Sequence, residues 1–253
     1  MGLKIILIFS IFLLIFLISY QLKKENTSNF TNFKFDYTKL LKNNKIDMIE
    51  NENVDIVCSG PSSKNIKLKS NIIILVNDSI LNKQINKKTS KKTIWLMCKM
   101  YQLYKNFKTQ FLDKINMDID IIVIRWANLK NNNENTKILS MLKNKFPNVQ
   151  ILNNTFNPNE IKAFKKQKIL ISCGIQAIDF TLKNNAKNIY ISGIEMGNEP
   201  KYSYNTYIEI KPTVKLATHL NEDKKYFNQL NKEHLNKLIP LKNSGLFKYL
   251  KNI

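Results

Sequence analysis

The sequence predicts an α/β fold: a mainly parallel sheet covered on both faces by helices. Three observations carry this. Runs such as VDIVC (54–58), NIIILVN (71–77) and IDIIVIRW (119–126) are continuously apolar rather than alternating, as in strands buried on both faces. Helix-length segments separate most of these runs, and strand–helix alternation is the mark of parallel sheets. Several runs close on small or polar residues, Ser59-Gly60-Pro61-Ser62 and Asn77-Asp78-Ser79 among them, which is turn punctuation.

In chain order, the strands are expected at 54–58, 71–77, 93–98 (TIWLMC), 119–126, 149–152 (VQIL) and 187–195 (KNIYISGIE). The helices are expected at 99–114, 135–146, 175–185, 222–237 and 244–251. Residues 1–20 precede all of this as an apolar run, IILIFSIFLLIFLIS at its centre, with Lys4 as its one charge. A span of roughly 17 to 25 apolar residues crosses a bilayer as a helix, and no small-x-small cleavage site follows, which favours an anchor over a cleaved signal. Residues 21–50 are rich in Asn and Lys and read as a tether. Residues 51–253 read as one domain, a size that allows a single substantial core. Lys23, Lys24, Lys34 and Lys39 follow the span, so the positive-inside rule puts the domain on the cytoplasmic side of a single-pass membrane protein.

A formal net charge of +21 over 253 residues calls for an anionic partner. Much of it reflects a chain heavy in Lys, Asn and Ile, the composition expected of AT-rich coding. Arg125 is the only arginine. Nucleic-acid readers depend on arginine for bidentate and stacking contacts, so nucleic acid is not an expected partner, whereas membrane lipid is. The three cysteines, Cys58, Cys98 and Cys173, form no C-x-x-C and fall in or beside apolar runs, as buried free thiols do. His219 and His234 lack zinc-site spacing. No metal or other cofactor is expected.

Ligands of open α/β sheets bind beyond the carboxyl ends of the strands, and four places there carry candidate residues. Ser59, Gly60, Pro61 and Ser62 follow the first strand; glycine admits a close ligand and serine can cap the next turn. A plain turn is the competing reading, since neither G-x-x-x-x-G-K-[ST] nor G-x-G-x-x-G is present. Asn77 ends the second strand and is either a sugar- or base-recognising amide or an Asx-turn. Ser172, Cys173 and Gly174 lead into a helix and offer backbone donors to an anion, or simply turn the chain. Ser192, Gly193 and Glu195 end a later strand, ahead of a loop with Tyr202, Tyr204 and Tyr207, whose hydroxyls can donate to a leaving phosphate or pack on the domain. His219 stands before Asn221-Glu222-Asp223, a helix start with acids in its first turn. That dipole disfavours an imidazolium, and the acids oppose the shift.

In this order, the segments VCSGPSSKNI, LVNDS, ISCGIQAID, IYISGIE and THLNEDKKYFNQL, with a late PLKNSGLFKYL, resemble the bacterial sialyltransferases of glycosyltransferase family 42 over residues 54 to 250. The family's motifs are a first strand into N-G-P-S, an Asn after the second strand, a [TS]-S-G helix start, Y-L-S-G-I-D, and a His before an acidic helix. The resemblance implies a Rossmann-like domain that moves sialic acid from CMP-sialic acid to a galactose-terminated glycan or lipid-linked oligosaccharide, without metal and with inversion. It implies His219 as general base, Tyr202 or Tyr204 at the departing phosphate, Gly60, Ser62 and Asn77 on the nucleotide, and Ser172 and Gly174 near the donor. Departures are also visible: Ser59 and Cys173 replace the family's Asn and Ser, Met97 and Cys98 stand where a further Asn is expected, and Gly197 replaces a tyrosine. A transferase for another CMP- or nucleotide-activated sugar therefore remains open. So does an inactive relative that serves as a basic membrane-surface binding protein. The oligomeric state, a homo-oligomer included, is also open.

Overall fold

The structure is a computed structural model, and it describes residues 41–42, 46–64, 66–82, 84–85, 90–97, 112–124, 133–153, 171–196 and 220–253. The anchor expected at 1–20 and most of the helix expected at 99–114 lie outside the described residues. Among those described, no helix is long and apolar enough to cross a membrane.

Eight strands of the described residues form one sheet: β1 (Leu41–Lys42), β2 (Asn53–Val57), β3 (Ile72–Val76), β4 (Lys92–Met97), β5 (Ile121–Ile124), β6 (Gln150–Asn153), β7 (Asn188–Ser192) and β8 (Leu238–Pro240). Their order is β1-β6-β5-β4-β3-β2-β7-β8, and every neighbouring pair is parallel. The α/β class expected from the continuous apolar runs is the class found. β3, read as IIILV, is buried at all five positions. Such a strand needs cover on both faces, and the pleat supplies it alternately. Ile72, Ile74 and Val76 join Val54 and Ile56 of β2 in one core; Ile73 and Leu75 join Trp95 of β4 in the other.

Helix α1 (Asn133–Lys145) brings Ile138, Leu139 and Leu142 to the second core. Helices α2 (Cys173–Lys183) and α3 (Leu220–Asn228) supply Ile175, Ile178, Phe180 and Phe227 to the first. Two short helices follow, α4 (Lys232–Asn236) and α5 (Gly245–Leu250).

Four differences from the sequence reading have physical causes. The helix expected over 222–237 is two helices, because Asn231 accepts the amide of His234 at 2.8 Å and so caps a new start. Strand β8, only Leu-Ile-Pro, was hidden by its length and its proline; a proline suits the sheet edge, where its missing N–H costs nothing. The strand expected over 187–195 stops at Ser192, because Gly193 turns the chain at φ +76. Within the stretch read as tether, Ile46 and Ile49 are 5% and 0% exposed and belong to the first core.

Asp55, in the middle of β2, is 2% exposed. Its Oδ2 accepts from the amides of Lys69 (2.8 Å) and Ser70 (2.7 Å) and from the Ser70 hydroxyl (2.5 Å), so it ties the strap before β3 to the sheet. A buried carboxylate is tolerated where several donors replace its water.

Candidate functional site

From β2 the sheet grows one way through β3, β4, β5 and β6, and the other way through β7 and β8. The crevice at the carboxyl ends of β2 and β7 is therefore the topological switch point, where ligands of open α/β sheets bind. Three of the four expected places converge there.

The segments leaving β2 and β7 are stitched together. The Cys58 amide donates to the Ser192 carbonyl (2.9 Å) and the Gly60 amide to the Gly193 carbonyl (3.0 Å). In return the Gly193 amide donates to Ser62 Oγ (2.8 Å). Glu195 then clasps two backbones at once: the Ser62 amide donates to Oε1 (2.8 Å) and the Gly245 amide to Oε2 (3.1 Å). The chains approach so closely that a Cβ on Gly60 would stand 2.5 Å from the Gly193 oxygen, and one on Gly193 would stand 2.2 Å from the Cys58 oxygen. At these two positions contact leaves no room for a side chain.

Helix α2 begins on the same crevice. Its N-cap residue, Ser172, donates its amide to Asp223 Oδ1 at 2.7 Å, which binds the first turn of α3 to the start of α2. Gly174 lets that first turn close on its neighbours: a Cβ there would lie 2.9 Å from Ile194 Cδ1 and 3.2 Å from Cys58 Sγ.

Asn77 follows β3 beside this crossing and opens a 3-10 turn (Asn77–Leu81), with φ +51 and its carbonyl accepting from Trp95 Nε1 at 2.7 Å. The next residue, Asp78, adds a carboxyl that the motif reading passed over. Burial pushes its pKa up from 3.8 to about 6, against a hydrogen bond from its own backbone amide. Cys58 reports the surroundings: its thiol is raised far above the ordinary range, by burial first and then by Cys173, Asp78 and Glu195. These four residues thus share one electrostatic neighbourhood.

The expected binding residues now separate into two groups. Ser62, Ser192, Gly193 and Glu195 commit polar groups to the crossing itself; Ser192 Oγ, for instance, donates to the Ile56 carbonyl at 3.3 Å. Ser59, Gly60, Pro61, Asn77, Ser172, Cys173 and Gly174 are half-buried along the crevice, as is Asp78. His219, Tyr202 and Tyr204 lie outside the described residues, although Leu220, the residue after His219, opens α3. Among the described residues no group of three or more His, Cys, Asp and Glu could hold a metal ion. Sequence reading missed Asp78 and Asp223 as parts of the site; the acidic first turn at 222–223 was the one signal available for the second.

The titration of Asp78 gives a direct check. With the folded pKa near 6 and the ordinary value at 3.8, the folded state binds the proton more tightly, so stability falls as pH rises through that window. Asp78→Asn should remove this slope, a contribution on the order of 2 kcal/mol, when urea midpoints above pH 6 are compared with those below 3.8. An unchanged slope in the variant would show that Asp78 is not the group responsible.

The sequence matches no protein-family model and no curated protein. Three solved structures are similar to the chain. One is the sialyltransferase CstII from Campylobacter jejuni in complex with a substrate analogue, cytidine-5'-monophosphate, at 22% identity and TM-score 0.49, covering 79% of this chain and 84% of that one. A second is the sialyltransferase CST-II in complex with trisaccharide acceptor and CMP, at 20% identity and TM-score 0.47, covering 78% and 84%. The third is the monofunctional alpha-2,3-sialyltransferase Cst-I from Campylobacter jejuni, to which this chain is similar at 17% identity and TM-score 0.49 over 78% of each chain.

Proposed function

We propose that this chain is a membrane-anchored glycosyltransferase that moves sialic acid from CMP-sialic acid to a galactose-terminated surface glycan. The observation that carries the proposal is the crossing of Gly60 and Gly193 at the switch point, with the starts of α2 and α3 packed beside it. Described parts of four segments that resemble the family 42 sialyltransferases, at 58–62, 77–78, 172–174 and 192–195, lie at or beside this crossing.

In the proposed reaction the acceptor hydroxyl oxygen attacks the anomeric carbon as the bond from that carbon to the CMP phosphate oxygen breaks. CMP leaves with the electron pair, the configuration inverts, and His219 takes the hydroxyl proton. Tyr202 or Tyr204 donates to the departing phosphate, and hydroxyl and backbone donors do the work that a cation does elsewhere. Gly60, Ser62 and Asn77 hold the nucleotide, and Ser172 and Gly174 lie near the donor carboxylate or the base. The run at 1–20 holds the domain at the cytoplasmic face, beside a lipid-linked acceptor.

One observation favours a second reading, a related transferase for another nucleotide sugar. Asp78 places a carboxyl next to Asn77, and once ionised it repels the carboxylate that distinguishes sialic acid from neutral sugars.

The test has two limbs, nucleotide binding and turnover of CMP-sialic acid with a galactoside acceptor. CMP release is expected from the full-length protein. His219→Ala should lose it by about 100-fold or more while still binding CMP. Full turnover in that variant would remove His219 from the mechanism.

A further inference from the structure

Beside the crevice, one face of the sheet carries a groove that the proposed reaction does not use. Asp55, Tyr190 and Ile239 are register partners across β2, β7 and β8, so they share a face. Above them lies a groove of about 480 Å³, walled by Ile66, Leu241 and Phe247. A second hollow of about 540 Å³ adjoins it, and Pro240 and Phe247 border both. The floor is apolar, and the rims are cationic.

Lys67, Lys69 and Lys242 line the first groove, and Lys232 and Lys251 the second. The first three are exposed. Among the described residues, Asp55 is the only acid in the lining of either, and its Oδ2 is already held by the amides of Lys69 and Ser70 and by the Ser70 hydroxyl. That anchoring fixes the backbone of Lys69, whose ammonium lies 5.0 Å from the centroid of the Tyr190 ring. Five lysines thus surround an apolar trough, with no surface carboxylate among its described lining residues to neutralise them.

A free inorganic anion matches only the lysine rim of such a trough and leaves its apolar walls uncovered. An amphiphile with an anionic head is complementary to both parts. We propose that the groove is a docking surface for a bilayer containing acidic phospholipids, with lipid phosphates on the lysine rim and the upper acyl segments over the apolar floor. Lysine suits this role because a lipid phosphate in a fluid layer needs a compact charge rather than a fixed bidentate fork. Each lysine near an anionic surface adds to the attraction. Ser192 lines the groove and leads directly into Gly193, so the docking surface adjoins the switch-point crevice.

This inference rests on the membrane half of the proposed function and is independent of the transfer reaction. Its test is amide hydrogen exchange on the full-length protein in nanodiscs of phosphatidylcholine alone or mixed with phosphatidylglycerol. The anchor holds the domain near both discs, so the difference isolates headgroup charge. Exchange at residues 66–69 and 241–247 is expected to slow several-fold in the anionic discs. The slowing should vanish in a Lys67→Glu/Lys69→Glu/Lys242→Glu variant, and in the wild type at high salt, where surface charges are screened. Equal exchange in the two discs would overturn the proposal, as would protection that survives the charge reversal. A CMP titration in the same discs reads the transferase proposal separately, so either can fail without the other.

Discussion

Replacing Gly193 by alanine is expected to destabilise the domain by on the order of 3 kcal/mol. Two costs act together. Its φ of +76 is a conformation that L side chains rarely adopt, and the new Cβ would lie 2.2 Å from the Cys58 oxygen and 3.0 Å from the Gly60 nitrogen. Both obstacles are backbone atoms, so no rotamer change relieves them. The relief available is to part the loops after β2 and β7, which breaks the bonds from the Gly60 amide to the Gly193 carbonyl and from the Gly193 amide to Ser62 Oγ. Gly174→Ala is the matched control. Its nearest obstacle is Ile194 Cδ1, the far end of a flexible side chain, and no positive φ is involved. It should cost about 1 kcal/mol. Urea unfolding of both variants checks the pair; equal losses would mean that the crossing is less tight than its geometry states.

Glu195→Ala should cost about 2 to 4 kcal/mol, because two backbone amides lose a charged acceptor in one step. The Ser62 amide and the Gly245 amide come from segments 183 residues apart (245 − 62), and the Glu195 carboxylate is the one group that bonds to both. Glu195→Gln keeps an oxygen for one of them but turns an NH2 toward the other, so about half the loss is expected to remain. The measurement is again the urea midpoint, with nucleotide affinity read on the folded fraction. Affinity that falls with stability in the alanine variant but not in the glutamine variant identifies Glu195 as a clasp that shapes the crevice. A larger loss of affinity in Glu195→Gln than in Glu195→Ala would instead mark it as a ligand of the nucleotide.

Much of this arrangement was legible in the amino-acid order. IIILV between turn signals reads as a strand buried on both faces, and VDIVC followed by Ser-Gly-Pro-Ser reads as a strand running into a turn. What approaches that turn was not legible. That Gly60 meets Gly193, 133 residues later, is a fact of strand order, and strand order depends on crossovers that local pattern does not encode. The bonds that polar residues make across the crossing were hidden for the same reason. Ser62 and Glu195 carry groups suited to a ligand, yet each is committed to the opposite loop, which no single segment reveals. Asp55 drew no notice within an apolar run, yet it is the anchor of the strap at 69–70. Leu238-Ile239-Pro240 was too short to show period two, and it becomes a strand because β7 offers it an edge. Asp78 was hidden differently: as a residue it is an ordinary turn former, and its raised pKa arises only from burial in the folded crevice.

The central claim is that the crevice between β2 and β7 holds a cytidine nucleotide. The measurement that tests it most directly is equilibrium binding of CMP, UMP, GMP and AMP to the full-length protein, each competed against the others. The account predicts saturable binding of CMP in preference to the other three, weakened in Gly60→Ala. Tighter binding of another nucleotide would contradict the sialyltransferase reading, and the absence of binding by all four would contradict the transferase altogether.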